Sequence, residues 1–373
     1  MLLVTTLGGA PALAEREPPS SPLIAEAPAG WPEAPEVTAE SWVLVDVATG
    51  QILAERRGEE ARPVASTVKV LTALTVLDRA DIDDVVTVGE EVEVGGASVG
   101  LSPGDEWTVE QLLDGLLIRS GNDAAEALAV HVAGDMDSFV ELMAEDAASL
   151  GLEDVVIAEA SGLDDTNELS ARDLAVLARV ALQDPDLREL LGRETTDLPG
   201  VGSVVTRNEL LGDYPGATGV KTGFTSAAGL GFVGSAARDG AELVAVVLAT
   251  DDDPARFVDA ARLLDFGFEA YEPVSLSADW ELRVAGGERA LSAEEVTVVV
   301  PTDAEVSYAD LPPARPLVGV EPVEVVADGD GLGQVEVTIE GGPSPTSSTS
   351  ALGRALVDEA YAGMRAATAA DRW

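Results

Sequence analysis

The sequence contains no cysteine and a single histidine. Without cysteine there are no disulfides, no thiol nucleophiles and no thiolate metal sites. His131 lies in the helical run from Asp123 to Ala133 and in no catalytic motif, so we interpret it as a structural helix residue. A Ser-His-Asp triad would need this histidine, which disfavours that mechanism. We expect no metal and no cofactor.

Lysine is almost as scarce as histidine. The chain has two lysines, and its other positive charges are arginines. Lys69 closes the motif Ser66-Thr67-Val68-Lys69, and Lys221 opens the motif Lys221-Thr222-Gly223. Arginine cannot give up its proton in a protein, whereas a desolvated lysine can and then acts as a base. The two retained lysines therefore indicate chemistry that arginine cannot perform.

Positive charge in general is in short supply. Lys and Arg together number 22 against 68 Asp and Glu, which gives a net charge of −46. Such a chain lacks the basic surface that nucleic acids require, so we exclude nucleic-acid binding. The acidic residues are spread along the chain, a pattern that suggests a folded protein working in high salt.

The sequence also lacks an apolar run of about 18 residues, the length that spans a bilayer as a helix. Residues 1–14 are apolar and end in Ala12-Leu13-Ala14, which fits a cleavage site, so we interpret them as the remnant of a signal peptide. The positively charged leader is missing, which suggests a start upstream of Met1. We expect export to the cell envelope. The proline-rich segment 15–37 is predicted to be a linker.

Hydrophobic periodicity between residues 38 and 270 predicts an α/β domain whose sheet pairs distant segments. Strands are predicted at about 42–47, 51–55, 204–205, 216–222, 229–236 and 243–249. Helices are predicted at about 66–77, from the cap Thr108 to Leu117, and at 122–132, 136–150, 170–182, 185–192 and 254–266.

After Tyr271 the pattern changes to strands alone, at 281–284, 296–300, 323–326 and 335–339, which predicts a small β domain over 271–341. The run Asp328-Gly329-Asp330-Gly331 fails as an EF-hand and is interpreted as a hairpin turn. Residues 342–350 are predicted to be a second linker, and 351–373 a terminal amphipathic helix. The charges of that helix sum to zero, so we expect any peripheral membrane contact through it to be weak.

Three short motifs carry the candidate chemistry. Ser66 and Lys69 are one turn apart at a predicted helix start, where the helix dipole favours an oxyanion and Lys69 could act as the base for the serine. Ser120-Gly121-Asn122 follows an apolar helix and offers a hydroxyl and an amide, although an ordinary N-cap is an alternative. Lys221 and Thr222 could bind a carboxylate, and Gly223 could let a ligand lie against the strand.

The three motifs in this order are those of penicillin-binding proteins and class A β-lactamases. The Ser-Gly-Asn variant, with the stretches 101–113, 116–129 and 214–229, resembles the serine D-alanyl-D-alanine carboxypeptidases, the low-molecular-mass penicillin-binding proteins. This resemblance implies a β-lactamase/transpeptidase-like domain, in which a mainly antiparallel sheet is flanked by helices and a helical subdomain, followed by the small all-β domain.

The resemblance also implies the roles of the site residues. Ser66 would be the acyl-ester nucleophile and Lys69 its proton acceptor, while Ser120 and Asn122 would handle proton relay and peptide binding. Lys221 and Thr222, next to Gly223, would hold the terminal D-alanine carboxylate. The backbone N–H groups of Ser66 and Phe224 would form the oxyanion hole. The implied substrate is a peptidoglycan stem peptide ending in D-Ala-D-Ala, and β-lactams would be covalent inhibitors.

Alternative functions share these motifs. A class A β-lactamase needs a deacylating Glu four residues before an Asn, but Leu163 and Val204 stand four residues before Asn167 and Asn208. A D,D-endopeptidase would use the same residues, although the C-terminal β domain favours a carboxypeptidase. A non-catalytic wall-binding module would leave all the catalytic positions idle, and we disfavour it.

Overall fold

The computed structural model describes residues 32–152, 155–284 and 287–301, and from residue 272 onward the backbone alone. The strands in chain order are β1 (Ser41–Asp46), β2 (Ile52–Arg56), β3 (Arg62–Pro63), β4 (Val85–Thr87), β5 (Glu106–Thr108), β6 (Glu168–Leu169), β7 (Thr195–Leu198), β8 (Gly202–Val205), β9 (Ala217–Thr225), β10 (Gly229–Arg238), β11 (Ala241–Thr250), β12 (Tyr271–Val284) and β13 (Gly287–Pro301). The α-helices are α1 (Lys69–Leu77), α2 (Val109–Leu117), α3 (Asn122–Ala133), α4 (Met136–Ser149), α5 (Ala171–Gln183), α6 (Pro185–Leu191) and α7 (Asp253–Ala270).

A five-stranded antiparallel sheet forms the centre of the fold, in the order β2-β1-β11-β10-β9. It joins the start of the domain to its end, since Ser41 pairs with Leu248 and Asp46 with Leu243. The prediction that the sheet pairs distant segments is therefore confirmed. β9 is an edge strand of this sheet, which leaves one side of its backbone facing the rest of the domain.

Both faces of the sheet are covered. Its central strands accordingly carry apolar residues at successive positions instead of alternating apolar and polar ones. Val43 and Val45 contribute to a core shared with α1 to α6, whereas Trp42 and Leu44 contribute to a second core shared with α7. Successive side chains on a strand point to opposite faces, so each central strand supplies both cores. The result is a layer of helices on either side of the sheet.

The helices α1 to α6, which pack on one face of the sheet, agree with the predicted helices almost residue for residue. Thr108 is the N-cap of α2 as predicted, and its Oγ1 accepts a hydrogen bond of 3.2 Å from the backbone N–H of Gln111. The predicted helix from residue 66 has a finer structure, because Ala65–Val68 forms a 3-10 turn and the α-helix begins at Lys69. His131 lies exposed in the last turn of α3.

Beyond α7 the described chain forms an antiparallel hairpin of β12 and β13, with Tyr271 paired to Pro301. The hairpin contains both strands predicted between 271 and 301. The signal-peptide remnant at 1–14, most of the linker 15–37, the strands at 323–326 and 335–339, the second linker and the terminal helix lie outside the described residues, so the domain boundaries stay predictions. No described helix has the length and apolar character needed to cross a bilayer.

Candidate active site

The fold brings all three sequence motifs to one cleft of about 780 Å³ between the helical side and the edge strand β9. Ser66 comes from the 3-10 turn before α1, Ser120 and Asn122 from the junction of α2 and α3, and Thr222 to Phe224 from β9. No cluster of His, Asp or Glu suited to a metal ion occurs within the described ranges.

Ser66 and Lys69 are in direct contact. Lys69 Nζ lies 3.0 Å from Ser66 Oγ and donates a 2.8 Å hydrogen bond to Asn122 Oδ1. It also donates to the backbone carbonyl of Ser161, from a loop that the sequence did not implicate. Lys69 is fully buried, whereas Ser66 is half-buried and open to the cleft. The amine is therefore shielded from water while the hydroxyl beside it is accessible to a substrate.

The surroundings of Lys69 weaken its hold on a proton. Burial lowers the pKa of Lys69 to about 7. Among the smaller effects, the carboxylate of Glu159 raises this pKa, the charge of Arg207 lowers it and the carboxylate of Asp123 raises it. Desolvation is the main cause of this shift, because burial disfavours the charged form of the amine. An amine with this pKa is partly deprotonated at neutral pH and can accept a proton from a serine.

Ser120 and Lys221 form the second contact of the site. Lys221 Nζ donates a 3.0 Å hydrogen bond to Ser120 Oγ, and a second one of 3.0 Å to the carbonyl of its neighbour Thr222. Burial lowers the pKa of Lys221, and the charge of Lys69 adds to that shift. Ser120 has a φ of +65°, in the left-handed region that non-glycine residues rarely adopt, and Gly121 rather than Ser120 is the N-cap of α3. Strain of this kind gathers at functional sites.

The side chain of Asn122 bridges two parts of the site. Its Oδ1 accepts from Lys69, and its Nδ2 donates a 2.9 Å hydrogen bond to the carbonyl of Gly95. Asn122 therefore fixes the position of the Lys69 amine. One hydrogen of its Nδ2 group is left for another acceptor.

Gly223 lies close to the 3-10 turn that precedes α1. A Cβ at this position would lie 2.8 Å from the carbonyl oxygen of Val64 and 3.0 Å from Thr67 Cγ2. The missing side chain lets β9 lie against the 3-10 turn that carries Ser66, so the space is taken by the protein's own backbone. In this way Gly223 sets the distance between the serine and the edge strand.

Two arginines of the cleft could not be found from the motifs. Arg207 lines it from the segment before β9, and Arg256 lines it from α7. Arg256 donates to the carbonyl of Gly223 at 3.4 Å and pairs with Asp253 at 2.6 Å. Neither arginine belongs to a recognisable pattern, because their position depends on how distant elements pack. Both add positive charge where Lys221 was expected to act alone.

Apolar residues flank the polar site. Phe224 is 61% exposed and Leu163 is 47% exposed, and both line the cleft. Exposed apolar side chains at the mouth of a polar cleft are typical of a binding site for a ligand with apolar parts. Ser66 thus lies between a cationic group of side chains and an apolar rim.

A serine hydroxyl bonded to a buried lysine of lowered pKa, in a cleft bordered by a β-strand, defines a serine acyl-transfer enzyme with a lysine base. The D-alanyl-D-alanine carboxypeptidase family of serine peptidases matches residues 29–252 of the chain. The chain belongs to this family.

The comparisons with individual proteins agree with this assignment. The chain is 40% identical over 251 residues to the D-alanyl-D-alanine carboxypeptidase DacB2 of Mycobacterium tuberculosis, covering 65% of the chain and 86% of that protein. It is 35% identical over 257 residues to DacC of Escherichia coli, covering 65% of the chain and 64% of that protein. Among solved structures it is similar to penicillin binding protein 6B from Escherichia coli, with a TM-score of 0.67, 34% identity and coverage of 74% of the chain and 89% of that structure.

These findings confirm the function inferred from the three motifs, a serine-type D-alanyl-D-alanine carboxypeptidase that binds penicillin. They also confirm the transpeptidase-like α/β fold with its mainly antiparallel sheet. Enzymes of this family act on peptidoglycan, which implies work outside the cytoplasm.

Proposed function

We propose that Ser66 is the nucleophile and Lys69 its base in the removal of the terminal D-alanine from peptidoglycan stem peptides. The observation that carries this proposal is the 3.0 Å contact between Lys69 Nζ and Ser66 Oγ, made by an amine whose pKa lies near 7. Ser66 Oγ attacks the carbonyl carbon of the penultimate D-alanine and gives its proton to Lys69. The C–N bond then breaks, D-alanine leaves, and water hydrolyses the ester to restore Ser66.

The remaining residues of the site bind the substrate and relay a proton. Ser120 Oγ accepts a hydrogen bond from Lys221, so its own hydrogen is free to pass to the leaving nitrogen. Lys221 and Thr222 bind the terminal carboxylate, with Arg207 and Arg256 strengthening the positive field around it. The backbone N–H groups of Ser66 and Phe224 stabilise the oxyanion. β-Lactams react at the same serine and remain bound as acyl esters.

Labelling with penicillin tests the assignment of the nucleophile. We expect a single adduct at Ser66 that persists for minutes or longer, because the sequence has no Glu-x-x-x-Asn pattern for rapid deacylation. The measurement is incubation with a labelled penicillin, proteolysis and mass mapping of the modified peptide. An adduct at another serine would refute the assignment, and rapid turnover of the drug would support a β-lactamase instead. Release of D-alanine from a D-Ala-D-Ala peptide tests the substrate.

Salt should raise both activity and stability. The substrate ends in a carboxylate, which a chain of net charge −46 repels at long range while the cationic cleft attracts it at contact. Raising salt from about 0.05 to 2 M shortens the Debye length from above 10 Å to below 3 Å and removes the distant repulsion first. We therefore expect a lower KM, and a higher melting temperature from reduced self-repulsion. Steady-state kinetics and thermal unfolding across this range measure both; flat or falling curves would contradict a salt adaptation.

A further inference from the structure

The loop formed by residues 158–164, which we call the bracket loop, lies directly against the nucleophile. The carbonyl of Ser161 accepts from Lys69 Nζ and lies 3.4 Å from Ser66 Oγ. The neighbouring carbonyl of Ala160 accepts a 2.6 Å hydrogen bond from Thr72 on α1. Gly162 has a φ of +74°, and a Cβ there would lie 2.0 Å from the carbonyl oxygen of Ala65. The bracket loop therefore touches the catalytic turn through backbone atoms.

These contacts decide which way the amine of Lys69 points. A neutral amine has two N–H donors and one lone pair. Three oxygen atoms surround Nζ, and the Asn122 amide oxygen and the Ser161 carbonyl oxygen can only accept hydrogen bonds. When these two take the N–H groups, the lone pair is left facing the hydroxyl of Ser66. The position of the Ser161 carbonyl thus orients the base.

Glu159 holds that carbonyl in place. Its Oε2 accepts a 2.5 Å hydrogen bond from the backbone N–H of Ser161. Its Oε1 accepts from Asn167 Nδ2 at 2.9 Å and from the N–H of Asp164 at 3.2 Å. Asn167 is fully buried, and its Oδ1 accepts from the N–H of Ala158 at 2.7 Å. The carboxylate and the buried amide together close the bracket loop on itself.

Glu159 also places a negative charge beside a buried amine. Among the described residues, the charged groups that act on Lys69 are Glu159 from the bracket loop, Arg207 from the segment before β9 and Asp123 from α3. The charge of Lys69 in turn lowers the pKa of Lys221. Glu159 also acts on Glu126 of α3, whose pKa is raised by burial and then by the charges of Glu159 and Glu91. Burial and the charge of Arg207 favour the neutral amine, and Glu159 counteracts them.

We propose that Glu159 is a positioning residue for acylation: its carboxylate fixes the Ser161 carbonyl that orients Lys69, and its charge keeps the Lys69 amine basic enough to take the proton of Ser66. This inference rests on the proposed roles of Ser66 and Lys69. It adds a residue that touches neither the substrate nor the reacting atoms. A general base works best when its pKa is close to the working pH. Because the charge of Glu159 raises the pKa of Lys69, it helps to keep this base in that range.

The test is the pH dependence of acylation by a fluorescent penicillin, measured on the full chain between pH 5.5 and 9. In the unsubstituted protein the rate should rise with pH through a midpoint near 7, because Lys69 must be deprotonated to act. Glu159→Gln removes the charge, so the midpoint should move to lower pH, and the plateau rate should fall about 10- to 100-fold because one donor of the bracket loop loses its acceptor.

Two further variants separate charge from position. Glu159→Asp keeps the charge but is one methylene shorter, so its plateau should fall while its midpoint stays near that of the unsubstituted protein. The double variant Glu159→Gln with Asn167→Asp moves the carboxylate to the partner residue and restores a donor and an acceptor between these two side chains, while it gives up the 3.2 Å hydrogen bond from Asn167 Nδ2 to the carbonyl of Glu159. We expect it to recover much of the plateau rate and of the midpoint.

Asp165→Asn is the matched control. Asp165 is an exposed carboxylate next to the same loop, with no hydrogen bond or ion pair among the described residues. Its substitution should change neither the midpoint nor the plateau rate of acylation. A midpoint for Glu159→Gln equal to that of the unsubstituted protein, in a variant shown to be folded by circular dichroism, would overturn the proposal. If the unsubstituted protein is not acylated at Ser66, the proposed function itself fails, so the two failures are distinguishable.

Discussion

Replacing Lys69 with arginine should reduce the rate of acylation by penicillin at least about 1000-fold, within the range that general-base catalysis contributes. Arginine keeps the positive charge but cannot accept a proton from Ser66. Lys69 is fully buried and its amine contacts Ser66, Asn122 and the carbonyl of Ser161, so it is the basic side chain that the described structure places on the hydroxyl of Ser66. The measurement is the second-order rate constant of labelling by a fluorescent penicillin.

Lys221→Arg is the matched variant for this prediction. It introduces the same side chain into the same cleft at a position where we propose binding of a carboxylate rather than proton transfer. A guanidinium still pairs with a carboxylate, so part of the activity should survive, with a raised KM for a D-Ala-D-Ala peptide. Thermal unfolding of both variants checks that they are folded. Equal and mild losses at the two positions would contradict the roles that we propose.

Replacing Gly162 with alanine should reduce acylation by about 100-fold or more. The added Cβ would lie 2.0 Å from the oxygen of Ala65 and 2.7 Å from the backbone nitrogen of Ser66, distances at which the two segments must separate. Separation moves the Ser161 carbonyl away from Lys69 and displaces an N–H group proposed for the oxyanion hole. Loss of one oxyanion donor alone costs about 100- to 1000-fold. The rate of penicillin labelling measures the effect.

The control for Gly162→Ala is Gly151→Ala. Gly151 has a φ of +75°, almost equal to the +74° of Gly162, but a Cβ there would have no atom within 4 Å. Both variants should lose about 1 kcal/mol of stability from the left-handed backbone. Acylation should fall in Gly162→Ala and not in Gly151→Ala. Similar rates for the two variants would show that contact with the catalytic turn is unimportant.

The helices and the central strands could be predicted from the sequence because their signals are local. Leu112, Leu113 and Leu116 recur at helical spacing behind the cap Thr108, and these features suffice for α2. The strands β3 and β6 were missed, since each has two residues and exists through pairing with the other. β7 was missed as well, because Thr195–Leu198 has no apolar alternation and pairs with β8 in a hairpin of its own.

The three motifs of the proposed site could be recognised in the sequence, whereas the bracket loop could not. No Glu stands four residues before an Asn in the sequence, yet Glu159 hydrogen-bonds Asn167 from eight residues away because the chain folds back between them. The contact of Ser161 with Lys69 joins residues 92 positions apart and uses a backbone carbonyl, which every residue type possesses. Such a contact leaves no compositional trace in the sequence.

The central strand β11 is the last of its sheet to be synthesised, and this order governs when the enzyme can first exist. Until residues 241–250 emerge, the hairpin of β1 and β2 and the hairpin of β9 and β10 have no strand to join them. Lys69 follows the first hairpin and Lys221 lies in the second, so the two lysines meet after β11 has docked. Pairing over such sequence distances makes folding slow, so the groups of the proposed site come together late.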